Sequence, residues 1–222
     1  MGFELAPRVA ARAAYVAAAV HVVAAAAMLV LLQPGLPVAG SALAARMAYV
    51  GGQTGVWWLG WLAWHAADVA LLAFYVALAG QWGRRAPLRC ALALLLTAAG
   101  VADDLAAQAV YMGVAPRLEP EAFQVAELAA GLLTGYVANG LYTLAGLLLV
   151  WAGAAELPGY LVALSLPVWA AGLALSAATL MDSPGGQFWS VAVLMPTVVV
   201  WTALMGRWLS GLPPLSSGGC DG

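Results

Sequence analysis

Three observations predict an all-α, polytopic membrane protein, six transmembrane helices in one bundle. Of 222 residues, 64% are hydrophobic and 8% charged, where a water-soluble domain carries about 25% charged residues. Mean hydropathy is +0.93. Long apolar runs, each near the ~20 residues a helix needs to cross the hydrocarbon core, recur between clusters of Pro, Gly and Arg. So few charges cannot coat a water-exposed surface, which argues against a soluble enzyme and a disordered chain. A net charge of −2 leaves no basic footprint, so no nucleic-acid partner is expected. The runs are too long, and too rich in Ala and Leu without alternation, to be strands of a barrel.

The punctuation sets each element in turn. The first span is expected from about Ala13 to Gln33, stopped by Pro34, Gly35 and Pro37. It exceeds the about 7–15 apolar residues of a signal-peptide core and is read as retained. In the loop that follows, Ser41 is placed to cap a short surface helix ending at Gly51-Gly52. The second span is expected from about Val56 to Gly80 and the third from about Cys90 to Gly113, joined by an arginine-rich turn. The fourth follows from Glu121 to Gly153, the fifth from Pro158-Gly159 to near Met181, and the sixth from about Phe188 to Leu209. One transmembrane domain, residues 1–210, is therefore expected, followed by a flexible Gly-, Pro- and Ser-rich tail over 211–222.

Arginine placement predicts orientation. With six spans, Arg8, Arg12, Arg84, Arg85, Arg89 and Arg207 fall on one side, and Arg46 and Arg117 on the other. Both termini are then cytoplasmic, and the protein sits in the cell's inner (cytoplasmic) membrane. Cys90 and Cys220 lie on that reducing side and need not pair. Trp57, Trp58 and Trp189 at one interface, and Trp82, Trp151 and Trp208 at the other, read as aromatic belts.

The informative residues are polar groups at membrane depth, which cost about 2.5–3.5 kcal/mol each when charged and therefore face protein or a wet cavity. In the second span Trp61, His65, Asp68 and Tyr75 form one helical stripe, with Asp68 near mid-depth. In the third, Asp104 continues a stripe through Thr97, Gln108 and Tyr111, while the adjacent Asp103 points about 100° away among small residues. In the fourth, Glu127, Gly131, Thr134, Asn139 and Tyr142 descend one side, and Asn139 needs a partner across helices. His21 is alone on an alanine-rich first span. Ser165, Trp169, Gly172, Ser176 and Thr179 mark the fifth, and Pro167 and Pro196 can kink the last two helices and open a cleft. Trp61, Trp64, Tyr75, Tyr142, Trp169 and Trp201 are expected to line a pocket.

His65, Asp68, Asp104, Gln108, Glu127 and Asn139 are thus expected to bind a small ligand, proton or cation in a polar funnel opening outward. Two other readings share these residues. One is an intramembrane enzyme in which Asp68 and His65 do acid–base chemistry on a lipid or isoprenoid. The other is a structural subunit whose polar residues only hold helices together. The Gly-x-Ser-x-Gly and His-Glu-x-x-His patterns are absent. Metal and cofactor identity are left open, a bis-histidine haem requiring His21 and His65 to face each other. The expected partners are the bilayer, the ligand, ion or lipid bound, and either a second copy or another subunit.

Overall fold

The structure, a computed structural model, describes residues 6–37 and 41–213. Most of the expected tail, with Cys220, lies outside the described residues. Within them the protein is all-α, and six helices are long and apolar enough to cross a membrane. They are Pro7–Gly35, Thr54–Trp82, Pro87–Arg117, Pro120–Gly153, Gly159–Leu180 and Pro184–Ser210, here the first to sixth spans. A short helix, Leu43–Gly52, sits between the first two.

Several spans begin earlier than the apolar runs suggest, and proline is the reason. Pro7, Pro87, Pro120 and Pro184 each open a helix instead of ending the preceding turn. Proline suits this place because the first N–H of a helix has no intrahelical partner and proline's φ is already helical. Ser41 does not cap the short helix. Ala42 holds that position, and the Ser41 hydroxyl donates instead to Leu36 O at 3.1 Å. The fifth span ends with Asp182 at φ 49°. There Asp182 N–H donates to Thr179 O and Ser183 N–H to Ala178 O, the paired bonds of a left-handed helix stop.

Each span packs on the next, and the first closes on the sixth, so the six form a ring. We call the end holding the start of the first span and the end of the sixth the inner end. Small residues set the close approaches, as lipid offers no hydrophobic drive between helices. A Cβ on Gly206 would meet Ala11 and Ala14 of the first span, and one on Gly60 would strike Leu32. The inner half is filled by Phe74, Trp82, Leu149, Leu161, Trp169 and Trp201. A second apolar cluster at the outer end joins Leu32, Val50, Trp57, Trp61, Tyr111 and Phe123. The short helix lies across that end, against the outer ends of the first four spans.

Two tryptophans leave the expected belts. Trp57 and Trp82 are each 1% exposed. Trp57 donates to Tyr111 O at 2.8 Å, and the Trp82 ring fills the space left by Gly153. Trp58, Trp151 and Trp189 do face outward.

Three spans carry wider π-helical turns: Met28–Leu32, Val110–Val114 and Leu132–Ala138. Such turns recur at functional sites because they loosen the backbone ladder. The last of these lies beside the polar cluster described next.

Candidate intramembrane site

At the middle of the second span Asp68 points into the ring and is 4% exposed. Gln108 of the third span donates its Nε2 to Asp68 Oδ2 at 2.7 Å. Asp104, one turn before Gln108, lies against Asp68. Thr134 and Tyr142 of the fourth span stand around Asp104 as well, and the Tyr142 hydroxyl reaches its Oδ2 at 3.5 Å. Three spans thus converge on one pair of acids. Gly100 makes room for it: a Cβ there would strike the Tyr142 ring. Asp104 Oδ1 and Gln108 Oε1 are buried and have no hydrogen-bond partner. In a bilayer each such orphan costs several kcal/mol, so the cluster holds unused acceptor capacity.

Above it, toward the outer end, comes an aromatic layer. Trp61 stacks on Tyr111 with ring centroids 4.5 Å apart and planes 6° from parallel. Trp57 meets both rings edge-on. The indole nitrogens of Trp61 and Trp64 are buried without partners. The Tyr111 hydroxyl donates to Glu127 O at 3.3 Å. Above this layer, the Glu127 carboxylate takes both arms of the Arg46 guanidinium, Nε at 3.2 Å and Nη2 at 2.8 Å. Arg46 belongs to the short helix, and its Nη1 also donates to Ser41 O at 2.8 Å. The funnel expected to open outward is therefore roofed in this structure by Leu43–Gly52 and its ion pair.

The remaining expected residues are distributed as follows. His65 is half-buried and sets its Nδ1 on Trp61 O of its own helix at 3.2 Å. His21 is bound in the same way to Ala17 O at 2.7 Å. Asp103 is half-buried and off the cluster. Tyr75 lies one layer further in, its hydroxyl donating to Tyr142 O at 3.4 Å. Asn139 serves the joint between the fourth and fifth spans, donating to Gly172 O at 2.6 Å and Ser176 Oγ at 2.9 Å. Trp169 and Trp201 pack edge to face in the inner apolar core, not beside the acids. Pro167 borders a shallow groove with Ala170, Ala174 and Trp189 between the last two spans, again away from the acids. Among the described residues no three His, Cys, Asp or Glu side chains gather as a metal site.

Asn139 gives a measurable consequence. Asn139→Leu removes the two bonds that this side chain makes from the fourth span to the fifth, leaving Ser176 on Tyr136 O. It is expected to destabilise the fold by about 0.6–2 kcal/mol, read as a lower unfolding midpoint in detergent.

Sequence reasoning singled out the acids but missed Arg46, which looked like an ordinary loop charge. Its one sequence signal is position: a lone arginine on an otherwise apolar short helix, opposite the positive side of the protein.

Fold and site together define a multi-pass membrane protein with a buried acidic pair at mid-depth, closed toward the outer end. Compared with known protein families, curated proteins and solved structures, the chain matches none.

Proposed function

We propose that the protein binds or moves a proton, cation or other small ligand through the polar column between its outer end and the membrane middle, in the cell's inner membrane. The observation that carries this is the Asp68–Asp104 pair, two carboxyls facing each other at mid-span with unfilled acceptors beside them. Intramembrane acids are costly to hold, and substrate or ion pathways and proton relays are among the roles they mark. The column runs from Glu127 past Tyr111 to Gln108, Asp104 and Asp68, and stops at the apolar inner half. Displacing the short helix with its Arg46–Glu127 clasp opens this column to the outer side, and reaching the other side needs a separate rearrangement of the apolar inner half.

The enzyme reading needs His65 beside Asp68, and His65 on Trp61 O weighs against it. The scaffold reading has one observation in its favour. Gln108 on Asp68 and Tyr142 on Asp104 also tie the second, third and fourth spans together.

The test is Asp68→Asn in proteoliposomes. Amide replaces carboxyl at equal volume, so the protein is expected to fold, by circular dichroism and gel filtration, yet to lose proton or cation flux driven by a pH step. Native protein that carries no flux, with Asp68→Asn changing only the melting temperature, would leave the scaffold.

A further inference from the structure

We infer that the acidic pair is a single exchange site, taking either a proton or one dehydrated monovalent cation of sodium type among oxygens of Asp68, Asp104, Gln108, Thr134 and Tyr142. This rests on the reading above and names its ligand class.

The donor inventory leads there. Among the described residues, the nitrogen donor bound to the pair is Gln108 Nε2, on Asp68 Oδ2. With Asp68 ionised, this orientation is the favourable one, because the flipped amide would set its oxygen against the carboxylate. Gln108 is 1% exposed and its Oε1 is left unpartnered, as is Asp104 Oδ1. The Asp68–Gln108–Asp104 cluster therefore presents unpaired oxygen acceptors, and a guest must bring positive charge or a proton. Carboxylate, amide and hydroxyl oxygens suit hard cations. Asp68, Asp104 and Gln108 are all more than nine-tenths buried, so the guest is a bare ion, not an organic solute. Calcium would need about 6–8 oxygens, and among the described residues no third carboxylate joins the cluster. The widened turn Leu132–Ala138 carries Thr134 to the pair and gives its backbone room to adjust.

The exchange balances in charge. A shared proton leaves the pair at one negative charge. Replacing it by one monovalent cation, with the proton released to water, leaves that charge unchanged. The surrounding low-dielectric protein then meets no new net charge in either state. Other titratable groups near the pair are Tyr142, Tyr111 and, beyond Tyr142, Tyr75. Glu127 is the next acid along the column and is occupied by Arg46. His21 and His65 are each held on a carbonyl of their own helix.

The experiment uses purified full-length protein in nanodiscs at very low buffer strength, read by a pH dye and by infrared carboxyl absorption. Sodium chloride is expected to release about one proton per chain and to remove a protonated-carboxyl band, whereas choline chloride at equal ionic strength does neither. Asp104→Asn is expected to abolish sodium-driven release, while the neighbouring Asp103→Asn releases as the native protein does. Native protein decides the matter even if a variant fails to fold. No release with sodium, lithium or potassium, or release with calcium alone, overturns the inference. If the carboxyl band still titrates with pH while cations have no effect, the cation site falls and the proton reading stands. A band that responds to neither removes both.

Discussion

Arg46→Ala is expected to lower the stability of the protein by about 3–5 kcal/mol, the cost of leaving one member of a buried ion pair uncompensated. Arg46 and Glu127 are each 8% exposed, and the guanidinium spans both carboxylate oxygens. Removing it strands a carboxylate under the short helix, and the Tyr111 hydroxyl is already bound to the Glu127 carbonyl. The reverse change costs less. In Glu127→Gln the guanidinium keeps Ser41 O, and its long stem can carry the charge toward outer water. The double variant Arg46→Met, Glu127→Leu is expected to recover most of the loss, since a hydrophobic pair of similar volume removes the desolvation penalty with the charges. Unfolding midpoints in detergent, compared at low and high salt, check all three. A surface pair would weaken with salt and this one is expected to hold. Amide exchange over 43–52 should speed in Arg46→Ala, because the clasp is what fixes that helix to the fourth span.

The contrast between the legible and illegible parts of this site has a physical origin. Hydropathy and Pro/Gly punctuation act along the chain, so the six spans and the depth of Asp68 and Asp104 could be read directly. Helical periodicity also places Asp104 and Gln108 on one face and Asp103 on another. Periodicity does not say how each helix is rotated against its neighbours, and that decides partners. His65 shares a face with Asp68 by spacing, yet its ring swings back to Trp61 O, a bond any helical histidine can make four residues upstream. Arg46 and Glu127 are 81 residues apart, and only the folding of the loop over the bundle brings them together. Trp57 and Trp82 sit near span ends where a belt tryptophan would sit. What buries them is a carbonyl freed near the end of the third span and a glycine in the fourth, neither visible from their own stretch of sequence.

Gly146 tests how tightly the inner half is closed. Gly146→Ala is expected to destabilise by about 1–3 kcal/mol, because an added methyl must displace an aromatic ring in a filled core. A Cβ at this position would meet three carbons of the Trp169 ring. That ring has little freedom. It is 5% exposed and packs edge to face on Trp201 at 5.2 Å. Trp201 is fully buried, donates to Leu161 O at 3.2 Å and meets Phe74 at 5.8 Å. The push therefore passes from the fourth span to the fifth, the sixth and the second. Combining Gly146→Ala with Trp169→Phe should restore part of the loss, a coupling of about 0.5–3 kcal/mol in a double-mutant cycle. Gly55→Ala is the control. A Cβ there meets nothing within 4 Å, so the change is expected to be neutral or to stabilise the helix by up to about 1 kcal/mol. If the two alanines behaved alike, the inner half would be loose enough to admit water, and the apolar barrier below Asp68 would not separate the acidic pair from the inner face.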